Sequence, residues 1–210
     1  MKPGGEACMP EAQADGSNTT HHGAQPARTP WLQWWPTLLG IGLAVFIALD
    51  MTSGSTLAPV LAASGLVYLG AAALQKPSAA WPLFIATFVV ITATTVLTRL
   101  RVGNPDATWI LLGLAALLLL YGLVRGATRP AGGLPLQAIA MVACGAAAAA
   151  ALIVSGKIGA YLVAAGLLGH AAWDVYHHWT NKVVVRSMAE FCCVLDTLLA
   201  LAIVIATMRS

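Results

Sequence analysis

Residues 108–124 read TWILLGLAALLLLYGLV, seventeen positions without a charge. Ten residues on, 134–154 read LPLQAIAMVACGAAAAAALIV, again uncharged. A bilayer core about 30 Å thick needs roughly 20 apolar helical residues to cross it. Runs like these are too long for strands, and alternating ten-residue segments of the barrel type are absent. Working outward in both directions, further runs occur at Pro36–Thr52, Leu57–Leu74, Trp81–Arg99, Ile158–His178 and Ser187–Met208. With Thr108–Val124 and Leu134–Val154 they predict an all-α, polytopic bundle of about seven transmembrane helices. The first run is short and leans on its aromatic flank, Trp31, Trp34 and Trp35, a residue type that favours the membrane–water interface.

Composition agrees. Of 210 residues, 59% are hydrophobic and 9% charged, against about 25% charged in soluble domains. So short a soluble chain could not hide that much apolar surface, so the lipid bilayer is its expected surrounding. The formal charge is +3, and the basic residues stand singly or in pairs. Nucleic-acid binding needs a clustered basic face and is excluded.

Residues 1–30 are rich in Gly, Pro, Ala, Asn and Thr and read as a disordered tail, with the transmembrane domain spanning 31–210. No short apolar run with a cleavage site follows Lys2, so the start does not read as a secretory signal. His21 and His22 fall in this tail and read as a solvated pair. The turns are punctuated by Thr52-Ser53-Gly54-Ser55, Lys76-Pro77-Ser78, Gly103-Asn104-Pro105-Asp106 and Arg129-Pro130 through Gly133, where Gly and Pro break helices. With the N-terminus inside, the inner segments carry Lys2, Arg28, Lys76, Arg125, Arg129, Lys182 and Arg186. The outer ones carry Arg99, Arg101, Lys157 and Arg209, a bias that favours a cytoplasmic N-terminus. The small-residue run from Gly145 to Ala151 reads as a helix-packing face. Thr92, Thr94, Thr95 and Thr98 can satisfy their hydroxyls on their own helix backbone. Cys8, Cys144, Cys192 and Cys193 form no CxxC pair or secreted disulfide framework.

Charges in a bilayer core cost about 2.5–3.5 kcal/mol each on insertion scales. Yet Asp174, Glu190, Asp196 and three of the five histidines fall in the last two helices. At 100° per residue, His170, Asp174, His177 and His178 occupy an arc of roughly 100°, and Arg186, Glu190, Cys193 and Asp196 one of about 120°. His170 and Asp174 are an i, i+4 pair and Asp174 and His177 an i, i+3 pair, so each can touch the next. Counting about 1.5 Å per residue from the connecting loop places His170 level with Asp196, and Asp174 near Cys193. It also brings His177 and His178 near Arg186 and Glu190. The expectation is a polar pocket between the two helices, opening towards the cytoplasm.

Three readings of that pocket stay open. Imidazole and carboxylate are ligands for zinc, iron or manganese, and facing helices build such sites in bundles. A metal there would support hydrolysis of a lipid-like substrate. The same groups can relay protons or bind a transported solute. They can also form a closed network that fixes helix packing in a structural or accessory subunit, with a protein partner or homo-oligomer. Haem fits poorly, because the membrane histidines share one helix.

The block from His170 through Trp173, Asp174, His177 and His178, with Cys193 and Asp196 downstream, resembles a family of uncharacterised bacterial polytopic integral membrane proteins. That resemblance implies a bacterial inner-membrane protein and no particular activity. Alkaline ceramidases and related seven-helix zinc hydrolases offer an analogy, but their ligands are spread over early and late helices. The first five runs here hold no histidine, so that activity does not carry over.

Overall fold

The computed structural model describes residues 34–128, 133–154 and 156–210. They form seven α-helices: α1 (Trp35–Asp50), α2 (Ala58–Ala73), α3 (Ala80–Arg99), α4 (Ala107–Val124), α5 (Leu134–Val154), α6 (Gly156–Thr180) and α7 (Arg186–Arg209). Short 3-10 turns at Gly54–Leu57 and Pro77–Ala79 lead into α2 and α3. There are no strands among the described residues. Six of the helical stretches are long and apolar enough to cross a membrane, and the protein is a multi-pass, all-α membrane bundle. The exception is α1, whose 16 residues reach only about 24 Å. Its entrance carries the exposed Trp34 and Trp35. The expected tail, His21 and His22, Trp31 and the Arg129–Pro130 corner lie outside the described residues.

Local chemistry sets the ends. The Asp106 carboxylate accepts a hydrogen bond from the Thr108 backbone N–H at 2.7 Å and caps α4, satisfying a donor that the first turn leaves free. Asn181 ends α6 in the left-handed region (φ 48°), with its N–H on the His177 carbonyl at 2.8 Å. Asn tolerates that conformation better than most residues.

The centre of the bundle is α2, in which every residue from Leu61 to Ala73 is buried. It packs against α3, α4, α5 and α6; α6 also contacts α5 and α7, and α1 lies against α7. Without a hydrophobic force between helices in lipid, such packing depends on close backbone approach. Gly65 and Gly166 provide it beside the site. A Cβ on Gly65 would stand 2.9 Å from the Met141 sulfur of α5, and one on Gly166 would stand 2.5 Å from Cδ2 of Leu61.

The outer helices bury little. In α3 only Ala80, Thr87 and Thr94 are buried, a seven-residue stripe that faces inward. Thr94 and Thr95 bond to carbonyls one turn back within α3, as the sequence led us to expect. At one end of the bundle Arg99 grips the exposed Asp50 through both carboxylate oxygens, at 2.8 and 2.5 Å, joining α1 to α3.

Candidate functional site

Helix α6 carries His170 and Asp174 on successive turns of one face, and α7 brings Asp196 against them. His170 Nδ1 lies 2.9 Å from Asp196 Oδ2 and 3.4 Å from Asp174 Oδ2. One ligand atom from each residue falls within 4.8 Å of the others. All three are buried, the two aspartates with no exposed surface at all. The cluster sits about 15 Å from the C-terminal end of α6, counted from His170, and a similar distance from the start of α7.

The central helix completes it. Tyr68 donates its hydroxyl hydrogen to Asp174 Oδ1 at 2.5 Å. Its ring stands edge-on between two imidazoles, with centroids 5.1 Å from His170 and 5.0 Å from His177. One turn earlier, Ser64 donates to the Val60 carbonyl at 3.1 Å and lies 3.4 Å from Asp196 Oδ1. Sequence reasoning missed both residues. The signal was there: a hydroxyl pair at i, i+4 inside an otherwise apolar run, one helical face aimed at a common target.

Two carboxylates face one imidazole, and among the described residues neither carboxylate has an ion pair with lysine or arginine. His170 Nε2 is buried with no hydrogen-bond partner, and Asp174 Oδ2 has only its 3.4 Å contact with His170 Nδ1. A buried unsatisfied group costs about 1–3 kcal/mol, more when charged. The residues fit a cation. Two carboxylates and one imidazole form a mixed O/N set suited to zinc, iron or manganese, and three protein ligands leave a coordination position open.

The remaining sequence candidates go elsewhere. His177 is buried, but it lies two turns from His170, and Gln137 of α5 takes its Nε2 at 3.0 Å. Its Nδ1 meets the Trp173 carbonyl at 3.0 Å, and the Trp173 indole N–H donates to Gln137 Oε1 at 3.2 Å. This is a second polar cluster, reached through α5, which the sequence reading left empty of polar roles. Its signal was a glutamine within an uncharged apolar helix. His178 is half-buried in the last turn of α6.

On α7, Arg186 is exposed and Cys193 half-buried as a free thiol. Glu190 accepts a hydrogen bond from Thr37 of α1, so it does not pair with Arg186. The reason is geometric. A 120° arc is wide enough to touch two neighbours, and α7 lies between α1 and α6. The stripe is therefore divided, Glu190 to one side and Asp196 to the other. The expected open polar pocket is a closed one, with Asp174, Asp196 and His177 sealed from solvent.

A cavity of about 370 Å³ lies beside it, between α5 and α6, with His170 among its lining residues. The chain matches no protein-family model, no curated protein and no solved structure.

Proposed function

We propose that the protein holds a divalent metal ion inside the membrane on His170, Asp174 and Asp196, and uses it to hydrolyse a lipid-like substrate. The observation that carries this reading is a buried pair of carboxylates around one imidazole, without a lysine or arginine partner among the described residues, with three ligand atoms within 4.8 Å of one another. An isolated excess charge at that depth is costly. A cation bound between the ligands would offset that cost and take up Asp174 Oδ2, whose one contact is His170 Nδ1 at 3.4 Å. A metal with an open position brings the pKa of bound water down to about 7. Hydrolysis then needs no further reagent. In such a reaction the water oxygen would add to the acyl carbon, the ester or amide bond would break, and the proton would go to the leaving group.

The chain's own residues supply the orientation. Tyr68 fixes Asp174 by one oxygen and leaves the other for the metal, while Ser64 lies beside Asp196 with its hydrogen shared between that carboxylate and the nearer Val60 carbonyl. Partners of this kind around ligands commonly tune metal affinity by 10–100-fold. On the resemblance of its C-terminal block, the protein belongs in a bacterial inner membrane, and the distribution of Lys and Arg puts its N-terminus in the cytoplasm.

The test is turnover of lipid esters and amides by the purified protein in mixed micelles. Hydrolysis that chelator abolishes and added metal restores, absent in His170→Ala, is the expected result. Metal-independent proton or solute flux in liposomes, with no hydrolysis, contradicts it. That outcome belongs to a second reading, which one observation favours. Ser64, Asp196, His170, Asp174 and Tyr68 form a contiguous polar string across three helices, and such a string can pass protons.

A further inference from the structure

The polar side chains inside the bundle are not spread evenly along its length. From the buried cluster towards the α6–α7 loop they recur at every turn. Asp174 follows His170, and Tyr68 donates to it from α2. The Tyr68 ring stands 5.0 Å from that of His177. His177 meets Gln137, which also accepts from the Trp173 indole. His177 lies one turn before the end of α6 at Thr180, about 5 Å along the axis. The half-buried His178 and the exposed Asn181 and Lys182 follow.

Towards the other end nothing among the described residues continues the series. From Ala160 to Gly169, α6 has one polar side chain, Tyr161, which is exposed. α7 has none from Leu198 to Ala206, and α2 none from Ala58 to Ala63. Leu61, Val163, Leu167, Leu199 and Ile203 fill the space between these helices without exposed surface and belong to one apolar core. Beyond them, the buried Thr207 donates its hydroxyl hydrogen to the Ile203 carbonyl at 2.7 Å. The turn at Gly54–Leu57 closes this end. A Cβ on Gly54 would stand 2.5 Å from Ile203 Cγ2 and 2.7 Å from Ala160 Cβ. Counted from Ala160 to His170, the apolar plug is about 15 Å long, and carrying an ion through it is costly. The cavity between α5 and α6 provides no third way. Its walls are apolar apart from His170, and it faces lipid, from which a charged ion does not come.

We infer that the buried cluster exchanges its ion with one side of the membrane only, the side of the α6–α7 loop, past Tyr68 and His177. This inference rests on the metal-ion reading. The route is shut in the resting bundle, because His177 is buried and the Tyr68 hydroxyl is held by Asp174. It opens when those two rings turn aside. His177 and Gln137 then act as polar stations that replace part of the ion's water on the way. A path across the membrane needs such stations on both sides of the cluster, and this molecule provides them on one.

The experiment uses the full chain in sealed membrane vesicles of two kinds, right-side-out and inside-out, prepared from the same cells. Cleavage by external trypsin at the exposed Lys182 reports which kind turns the loop outward. An isotopically enriched zinc salt is added outside, the excess is washed away, and protein purified from each kind is analysed for the enriched isotope. Enriched zinc should enter the chains of the loop-outward vesicles. It should stay at least tenfold lower in the other kind until detergent opens them. In Gln137→Leu, loading from the loop side should slow at least tenfold, while the occupancy finally reached in detergent is unchanged. Loading from the far side alone overturns the inference; loading from both sides overturns it too, and favours flux across the membrane. Loading as fast in Q137L as in the wild type overturns the route past His177. Failure of the metal reading looks different: no zinc enters either kind of vesicle, and none binds after detergent.

Discussion

Two polar clusters lie within one helical turn of each other, and Tyr68 stands between them. In the first, His177, Gln137 and Trp173 close on one another: both imidazole nitrogens have partners, and the indole N–H meets the amide oxygen. No carboxylate takes part. In the second, His170 meets Asp174 and Asp196, neither carboxylate has a lysine or arginine partner among the described residues, and His170 Nε2 is left unpartnered. Both are buried in the same bundle and both use a histidine of α6. The difference teaches that burial of a polar residue in a membrane helix does not separate packing from function. Closure is the better criterion: a cluster that satisfies itself fixes helices, and one that does not is the candidate for a ligand site.

Substitutions can break that comparison. The largest effect should come from His170→Ala and Asp196→Asn, each of which removes a ligand. Metal per chain should fall from near one to below a tenth in either, as read by elemental analysis of folded, monodisperse protein. Next is Tyr68→Phe, which keeps the ring between the imidazoles and deletes only the hydroxyl on Asp174. Metal affinity should weaken by about 10–100-fold, measured by competition with a chelator of known affinity, and a native-like affinity would show that Asp174 needs no anchor.

A smaller and different effect is expected at the closed cluster. Gln137→Leu strips His177 and Trp173 of their shared partner, costing about 1–3 kcal/mol of stability while metal content stays unchanged. A thermal-shift assay paired with metal analysis reads both. Loss of metal in Q137L would mean the clusters act as one, and the contrast drawn above would fail. Smallest of all is Asp50→Asn. Its pair with Arg99 is exposed on both sides, and such pairs contribute about 0–1 kcal/mol. A shift in thermal midpoint larger than in Q137L would contradict the ranking.

The helices were legible because each is an uninterrupted apolar run bounded by Gly, Pro or charge. The expected limits of α5 match those observed, and α6 extends to Thr180, two residues further than expected. Depth was legible too. Counting residues from the loop between α6 and α7 put His170 level with Asp196, and the two touch. Neighbourhood was harder to read. A helical wheel gives a residue's direction but not which helix waits there, so Glu190 was grouped with Asp196 although it faces Thr37 of α1. The hydroxyls of Ser64 and Tyr68 were passed over because helix–helix order, not local pattern, brings α2 into contact with α6. Gln137 escaped for the same reason: its role exists only once α5 is known to flank α6.

The most direct measurement is the metal content of detergent-purified wild-type protein after reconstitution with zinc, iron or manganese, beside His170→Ala shown to fold by its elution profile and helicity. The account predicts close to one metal ion per chain in the wild type and almost none in the variant. Metal-free wild type under every reconstitution, or equal metal in both proteins, would contradict it.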